Sequence, residues 1–358
     1  MKKILIVDDS ALMRRVLCDI INSDERFRVE DRATNGLEAL DLLSRKTYDA
    51  VVLDVNMPKM NGIELLKEMQ KFKISARVLM ASTATSEGAK VTLDALDLGA
   101  LDFVHKPDSA VDCRAEEFRK NLIETLAVVA DSKQPVFQTE ERKKKERETV
   151  QRIATLTGKR TVGVTGKKIV AIASSTGGPK ALQSVIPLLP ENLQAPVLVV
   201  QHMPKGFTAS LAERLNSLSP LPVCEAAEGD VLENGRVYLA MGGMHMKVVM
   251  NAGGKYTIHY TDEPAREGVK PCANYMYESL ENSRFDEVVC VVMTGMGADG
   301  TAGISHLKDR KKLYVIAQEQ STCAVYGMPK SVVNAGLSDQ IVPLDQIAQE
   351  IILNVGVK

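Results

Sequence analysis

No apolar run in this chain is long enough to span a bilayer, and neither sign of charge prevails. Its 45 lysines and arginines stand against 46 aspartates and glutamates, a formal net charge of -1. That balance removes the electrostatic case for binding nucleic acid or a membrane surface. The opening MKKILIV has the start of an export signal, but Asp8 ends the apolar run well before the length of a signal core. The six cysteines, at 18, 113, 224, 272, 290 and 323, form no CxxC pair and no metal-ligand spacing, which excludes a zinc ribbon and points to reduced, buried thiols in the cytoplasm. Internal repeats, low-complexity tracts and sustained coiled-coil heptads are missing too, so a monomer is expected. Across the turn of IVAIASSTGGPKAL neither GxxxxGK[ST] nor GxGxxG occurs, so that turn is not written as a phosphate-binding loop.

What remains is a chain of 358 residues, enough for two domains. In the first, Ile4 to Val7 closes on Asp8 and Asp9, and Ala50 to Leu53 closes on Asp54. Arg77 to Met80 leads to Ser82, and Leu101 to Val104 leads to Lys106, ahead of Pro107. These read as buried parallel strands alternating with helices. Ligands of an open α/β sheet sit beyond the carboxyl ends of its strands, so Asp9, Asp54, Ser82 and Lys106 are expected to converge. Carboxylates crowded in one crevice repel, and a hard divalent cation, Mg2+ above others, is the natural remedy. Asp54 can then attack a phosphoryl donor to form an aspartyl phosphate, with Lys106 and Ser82 contacting the new oxygens.

Hydrophobic residues thin out across 126–166, where TEERKKKERETVQR is almost continuous charge. Acid and base pairs at short spacing support a solvated helix there, but no stripe is wide enough to bury, so a linker is expected.

The second half, 167–358, opens on IVAIASSTGGPKAL, a strand, a glycine turn and a helix with Pro179 in its first turn. This arrangement exposes a serine at a strand end, as a nucleophile elbow does. A base is then needed. Of the histidines at 105, 202, 245, 259 and 306, His202 follows the strand pattern LVVQ and emerges on the same sheet edge, with His245 the runner-up. A third strand, Val288 to Met293, ends in TGMGADG and supplies Asp299 as the orienting carboxylate, whereas Asp286 falls at its opposite end.

The first set of residues, in order, resembles the receiver domain of bacterial response regulators. The later motifs SSTGGP, QHMPKGFT, LAERL, MTGMGADG and AVYGMPK resemble the catalytic domain of the chemotaxis protein-glutamate methylesterases. The resemblance implies a flavodoxin-like receiver at 1–125, a five-stranded parallel sheet in the order 2-1-3-4-5, and a doubly wound, mostly parallel α/β catalytic domain at 167–358. It makes Asp54 the phosphoacceptor, Ser82 and Lys106 the switch residues, and Asp8, Asp9, Asp54 and the Asn56 carbonyl the Mg2+ ligands. It makes Ser175 the nucleophile, His202 the base, Asp299 its partner and Met296 the source of an oxyanion N–H, with no cofactor for hydrolysis. Methyl-accepting chemoreceptors are the implied substrate, a chemotaxis histidine kinase the phosphodonor, and deamidation of receptor glutamines a second activity.

Three positions depart from that family pattern: Ser174 sets a second hydroxyl beside Ser175, Met241 stands where proline is expected, and Asn274 stands where aspartate is expected. The latter two are expected around the rim of the site. Two other readings compete: a DNA-binding regulator, which the non-basic tail SDQIVPLDQIAQEIILNVGVK disfavours, and a scaffold without catalysis, which stays open at this point.

Overall fold

Strands β1 (Lys2–Val7), β2 (Phe27–Ala33), β3 (Ala50–Asp54), β4 (Val78–Ser82) and β5 (Asp102–His105) pair in parallel in the order β2-β1-β3-β4-β5. This is the first of two units, Met1–Gln138 and Thr139–Lys358, in the computed structural model, which describes residues 1–82, 86–107, 116–132 and 166–358. Helices α1 (Ala11–Asn22), α2 (Gly36–Arg45), α3 (Gly62–Lys71), α4 (Ser86–Asp97) and α5 (Glu116–Asp131) alternate with the strands. Their starts are written locally. Ser10 Oγ accepts from Met13 N to cap α1, Asn35 caps α2, and Asn61 forms a reciprocal capping box with Glu64 at α3.

The sheet's Ile4, Ile6, Val52, Leu79 and Val104 pack in one core with Leu17, Phe118 and Leu122 of α1 and α5. A Cβ on Gly62 would sit 2.3 Å from the Asp54 carbonyl oxygen, so only glycine lets α3 begin against the end of β3. Two details differ from the sequence reading. β2, FRVEDRA, has no apolar run because it is an edge strand whose middle is half-exposed or exposed. Helix α5 continues to Asp131, six residues into the segment expected as linker, because Leu126, Val129 and Ala130 still face the core. The charged stretch TEERKKKERETVQR lies outside the described residues.

The second unit is built on seven strands: β6 (Lys168–Ser174), β7 (Val197–Gln201), β8 (Val223–Glu225), β9 (Val237–Leu239), β12 (Glu287–Val292), β13 (Lys312–Gln318) and β14 (Gln340–Val342). Their order is β14-β13-β12-β6-β7-β9-β8, every neighbouring pair parallel. A separate antiparallel hairpin joins β10 (His245–Met250) to β11 (Tyr256–Thr261). Among the described residues of this unit the α-helices are α6 (Gly178–Val185), α7 (Phe207–Leu218), α8 (Ala273–Ser279), α9 (Thr301–Lys308), α10 (Met328–Asn334) and α11 (Ile347–Val355).

The central strands are apolar because both of their faces are covered. Ile169, Ile172, Val199, Val200, Val289 and Val291 are fully buried, each stabilising the fold by about 1.5–3 kcal/mol. From β6 the chain runs first to β7 on one side and later returns to β12 on the other, making the carboxyl end of β6 the topological switch point. The register puts Ala173 opposite Val292 and Ser174 opposite Gln201, so the three strands end nearly level. Their following loops therefore open on one edge.

Candidate functional site

At the switch point the chain turns sharply. Ser174, the last residue of β6, is fully buried and its hydroxyl donates to Gln201 Oε1 at 2.7 Å. Gln201 Nε2 in turn donates to the carbonyls of Ser175 (2.9 Å) and His202 (3.1 Å), tying the ends of β6 and β7 together. Ser175 N donates to Thr294 O, and Gly178 N closes the turn onto Ser175 O at 2.7 Å. Gly177 takes φ 74°, in the left-handed region, and a Cβ on Gly178 would overlap Gln201 Oε1 at 2.0 Å, so both glycines are required. Of the two neighbouring hydroxyls, Ser174 is thus committed to the scaffold, while Ser175 stands half-buried at the turn.

His202 begins the loop after β7. Its Nε2–H donates to Asp299 Oδ2 at 2.7 Å, which leaves Nδ1 as the basic nitrogen of the neutral ring. Asp299, 2% exposed, also accepts from Ala273 N (2.6 Å), Asn274 N (2.9 Å) and the Cys272 thiol (3.0 Å). Burial acts to raise its pKa, but the His202 hydrogen bond and charge, with Cys272 and Ala273 behind them, hold the carboxyl below its usual value. The Cys272 thiol, pushed well above its ordinary range by burial and by the Asp299 charge, stays a neutral donor.

The loop carrying Asp299 runs against the serine. A Cβ on Gly295 would lie 2.7 Å from Ser175 Cβ and 2.4 Å from Met328 Sδ, so glycine permits this approach. Thr294 Oγ1 donates to Thr176 O and accepts from Val325 N, fixing the loop's start. Met296 follows immediately, 44% exposed.

Other candidates are occupied elsewhere. His245 is fully buried, donates from Nε2 to Pro264 O and accepts at Nδ1 from Cys272 N, and burial lowers its pKa. It holds the backbone behind Asp299 and is no base for Ser175. His259 pairs with Glu228 and His306 with Glu281. Asp286 accepts from Lys167 N before β12 begins, at the far end of the strand. Asn274 corrects the expectation of a rim residue: it is fully buried in the first turn of α8, its Oδ1 accepting from Gly300 N and Gly303 N. Met241 is half-buried after β9, its N donating to Tyr260 Oη.

In the first unit, Lys106 Nζ sits between Asp54 Oδ2 (2.7 Å) and Asp8 Oδ2 (3.0 Å), all three residues buried. The carboxylates of Asp8, Asp9 and Asp54 offer oxygens within 4.8 Å of one another, with Asp9 exposed. Burial pushes the Asp54 carboxyl up, with Lys106 opposing it; burial works against the Lys106 ammonium, which Asp54 and Asp8 nevertheless hold above its ordinary value. Ser82 is buried at the end of β4, and Asn56 is exposed in the loop after β3. An all-oxygen set of closely spaced carboxylates, one of them solvent-facing, fits a Mg2+ ion that keeps several waters. Among the described residues Cys18, Cys224, Cys272, Cys290 and Cys323 are free thiols; Cys113 lies outside them.

The CheB methylesterase family model matches residues 170–351, and the response regulator receiver domain model matches residues 4–115. A protein-glutamate methylesterase/protein-glutamine glutaminase of Bacillus subtilis is 41% identical over 355 residues, covering 98% of this chain and 98% of its own. One from Pyrococcus abyssi is 41% identical over 351 residues, covering 98% and 92%. The crystal structure of the Thermotoga maritima CheB methylesterase catalytic domain is 40% identical, with a TM-score of 0.50, and covers 52% of this chain and 98% of that one. The chain belongs to the CheB methylesterase family, with a response regulator receiver domain preceding its methylesterase domain.

Proposed function

We propose that this chain is a phosphorylation-activated hydrolase that removes methyl groups from glutamyl esters of chemoreceptors and converts particular receptor glutamines to glutamate. The observation that carries the reading is the 2.7 Å His202–Asp299 hydrogen bond at the ends of β7 and β12, on either side of the strand that ends beside Ser175.

Ser175 is the nucleophile. As its oxygen bonds to the ester carbonyl carbon, its proton passes to His202 Nδ1, while Asp299 steadies the imidazolium from the other side. The oxyanion is held by backbone N–H groups, the Met296 amide among them, in a loop that Gly295 brings against Ser175. When the carbonyl reforms, the C–O bond to the methoxy group breaks and His202 returns the proton, releasing methanol. Water then attacks the acyl-serine by the same proton route and yields the glutamate side chain. A glutamine substrate releases ammonia instead. Each of these steps uses protein groups and water alone.

The receiver supplies control. Asp54 accepts a phosphoryl group from a histidine kinase, and Lys106 and Ser82 engage the transferred oxygens. Asp8, Asp9, Asp54 and the Asn56 carbonyl would hold Mg2+, which when bound screens the charge between the carboxylates and the phosphoryl group. We assign the receiver to 1–125 with the α5 extension to Asp131, the linker to the residues that follow up to 166, and catalysis to 167–358. None of the described helices is long and apolar enough to cross a membrane. We take the enzyme to be a monomer that acts from the cytoplasm on receptor helices. Methanol release from methylated receptor, compared between wild type and Ser175→Ala, tests the reading; equal release by the two sinks it.

A further inference from the structure

The buried side chain of Asn274 makes three hydrogen bonds, two of them to the end of the loop carrying Asp299 and the helix that follows it. Its Oδ1 accepts from Gly300 N at 3.0 Å and Gly303 N at 2.7 Å, the N-cap and third residue of α9. Its Nδ2 donates to Glu267 Oε1 at 2.8 Å, while its backbone N donates to Asp299 Oδ1 at 2.9 Å. The contact with α9 is close enough that a Cβ on Gly303 would lie 2.9 Å from Asn274 Cα. Glu267 is exposed and holds φ 56°, a left-handed conformation unusual for a residue with a side chain. That conformation coincides with its carboxylate reaching the buried amide.

An amide has one donating and one accepting end, and here the two ends face opposite demands. Two glycine N–H groups need an acceptor, and a carboxylate needs a donor. We propose that Asn274 is a positioning residue for the Asp299–His202 pair, and that Glu267 fixes which way its amide points. With Glu267 engaging Nδ2, Oδ1 is committed to Gly300 and Gly303, and the residue between Ala298 and Gly300 is held where its carboxylate meets His202. A carboxylate at 274 would satisfy the glycines but face Glu267 with like charge and add a second negative group beside Asp299. A cation at 267 would invite the amide to turn over and withdraw its acceptor from α9.

The two positions are therefore predicted to be coupled, and a charge-exchange cycle in the full chain reads the coupling through methanol release from methylated receptor. Lysine is a workable substitute at 267, since Lys59 and Lys73 already occupy the left-handed region in this chain. Glu267→Lys should lower kcat several-fold with little change in KM or melting temperature. Asn274→Asp should lower kcat by about a hundredfold, the cost of a small displacement in a catalytic constellation. In that variant the acid limb of kcat/KM should also move to higher pH, because added negative charge favours the imidazolium. Asn274→Asp with Glu267→Lys should recover at least tenfold over Asn274→Asp alone and bring the acid limb back. If Asn274→Asp does not fold, the double variant is compared with Glu267→Lys: equal or better kcat supports the coupling, and a further loss overturns it. Losses that simply multiply in the double variant also overturn it. The inference rests on the proposed roles of Ser175, His202 and Asp299, but fails separately: wild-type turnover by Ser175→Ala would remove those roles, whereas multiplying losses would remove only the coupling.

Discussion

Ser174 Oγ and Gln201 Oε1 lie 2.7 Å apart, the last side chains of two adjacent strands. That bond separates two serines that are indistinguishable by type. Ser174 holds the amide that clamps the carbonyls of Ser175 and His202, so its hydroxyl is structural. Ser175→Ala is expected to abolish methanol release. Ser174→Ala should keep most of it while losing about 1–3 kcal/mol of stability, the cost of a buried acceptor left unpaired. Equal loss of turnover in both variants, measured alongside thermal melting, would contradict the assignment.

Asp299→Asn removes the charge that fixes the His202 tautomer. An amide NH2 facing Nε2 favours the ring with its proton on Nδ1, where it can no longer accept from serine. Turnover should fall by about ten-thousand-fold, the cost of a wrong tautomer in a serine protease. Turnover near wild type would point to another carboxylate, Asp286 first, although its place at the opposite end of β12 argues against it.

The same aspartate predicts a pH dependence of stability. Its folded-state pKa lies below the ordinary 3.8, so as pH falls the unfolded chain takes up the proton first. The stabilisation from its hydrogen bonds is fully present above the unfolded value and is lost as pH drops from there through the folded value. Denaturant unfolding of wild type and Asp299→Asn should therefore show a stability gap that is constant near neutrality and narrows below about pH 4. A gap that widened on acidification would contradict the sign.

Much of this architecture is legible in the residues themselves, and the exceptions have physical causes. Strands β1, β3, β4, β6, β7 and β12 are buried on both faces, so each appears as a short apolar run ended by the polar residue it presents. β2 escapes that reading because edge exposure replaces its apolar residues with charge. The placement of Ser175, His202 and Asp299 follows from strand ends, which leave a mark in the sequence. The groups behind them leave none. Cys272, Asn274 and Gln201 act through hydrogen bonds to residues one to twenty-nine positions away, and a buried cysteine or asparagine reads the same whatever it contacts. Only the polar Gln201 closing the run LVV offered a signal, since a buried amide at a strand end must find partners.

The central claim is that Asp54 controls hydrolysis by Ser175. Methanol release from methylated chemoreceptor, followed for the full-length protein with Mg2+ and with or without a small-molecule phosphodonor, tests it most directly. Wild type should be stimulated by the donor, Asp54→Asn should stay at the unstimulated rate, and Ser175→Ala should release nothing in either condition. Stimulation of Asp54→Asn equal to that of wild type, or release by Ser175→Ala at the wild-type rate, would contradict the account.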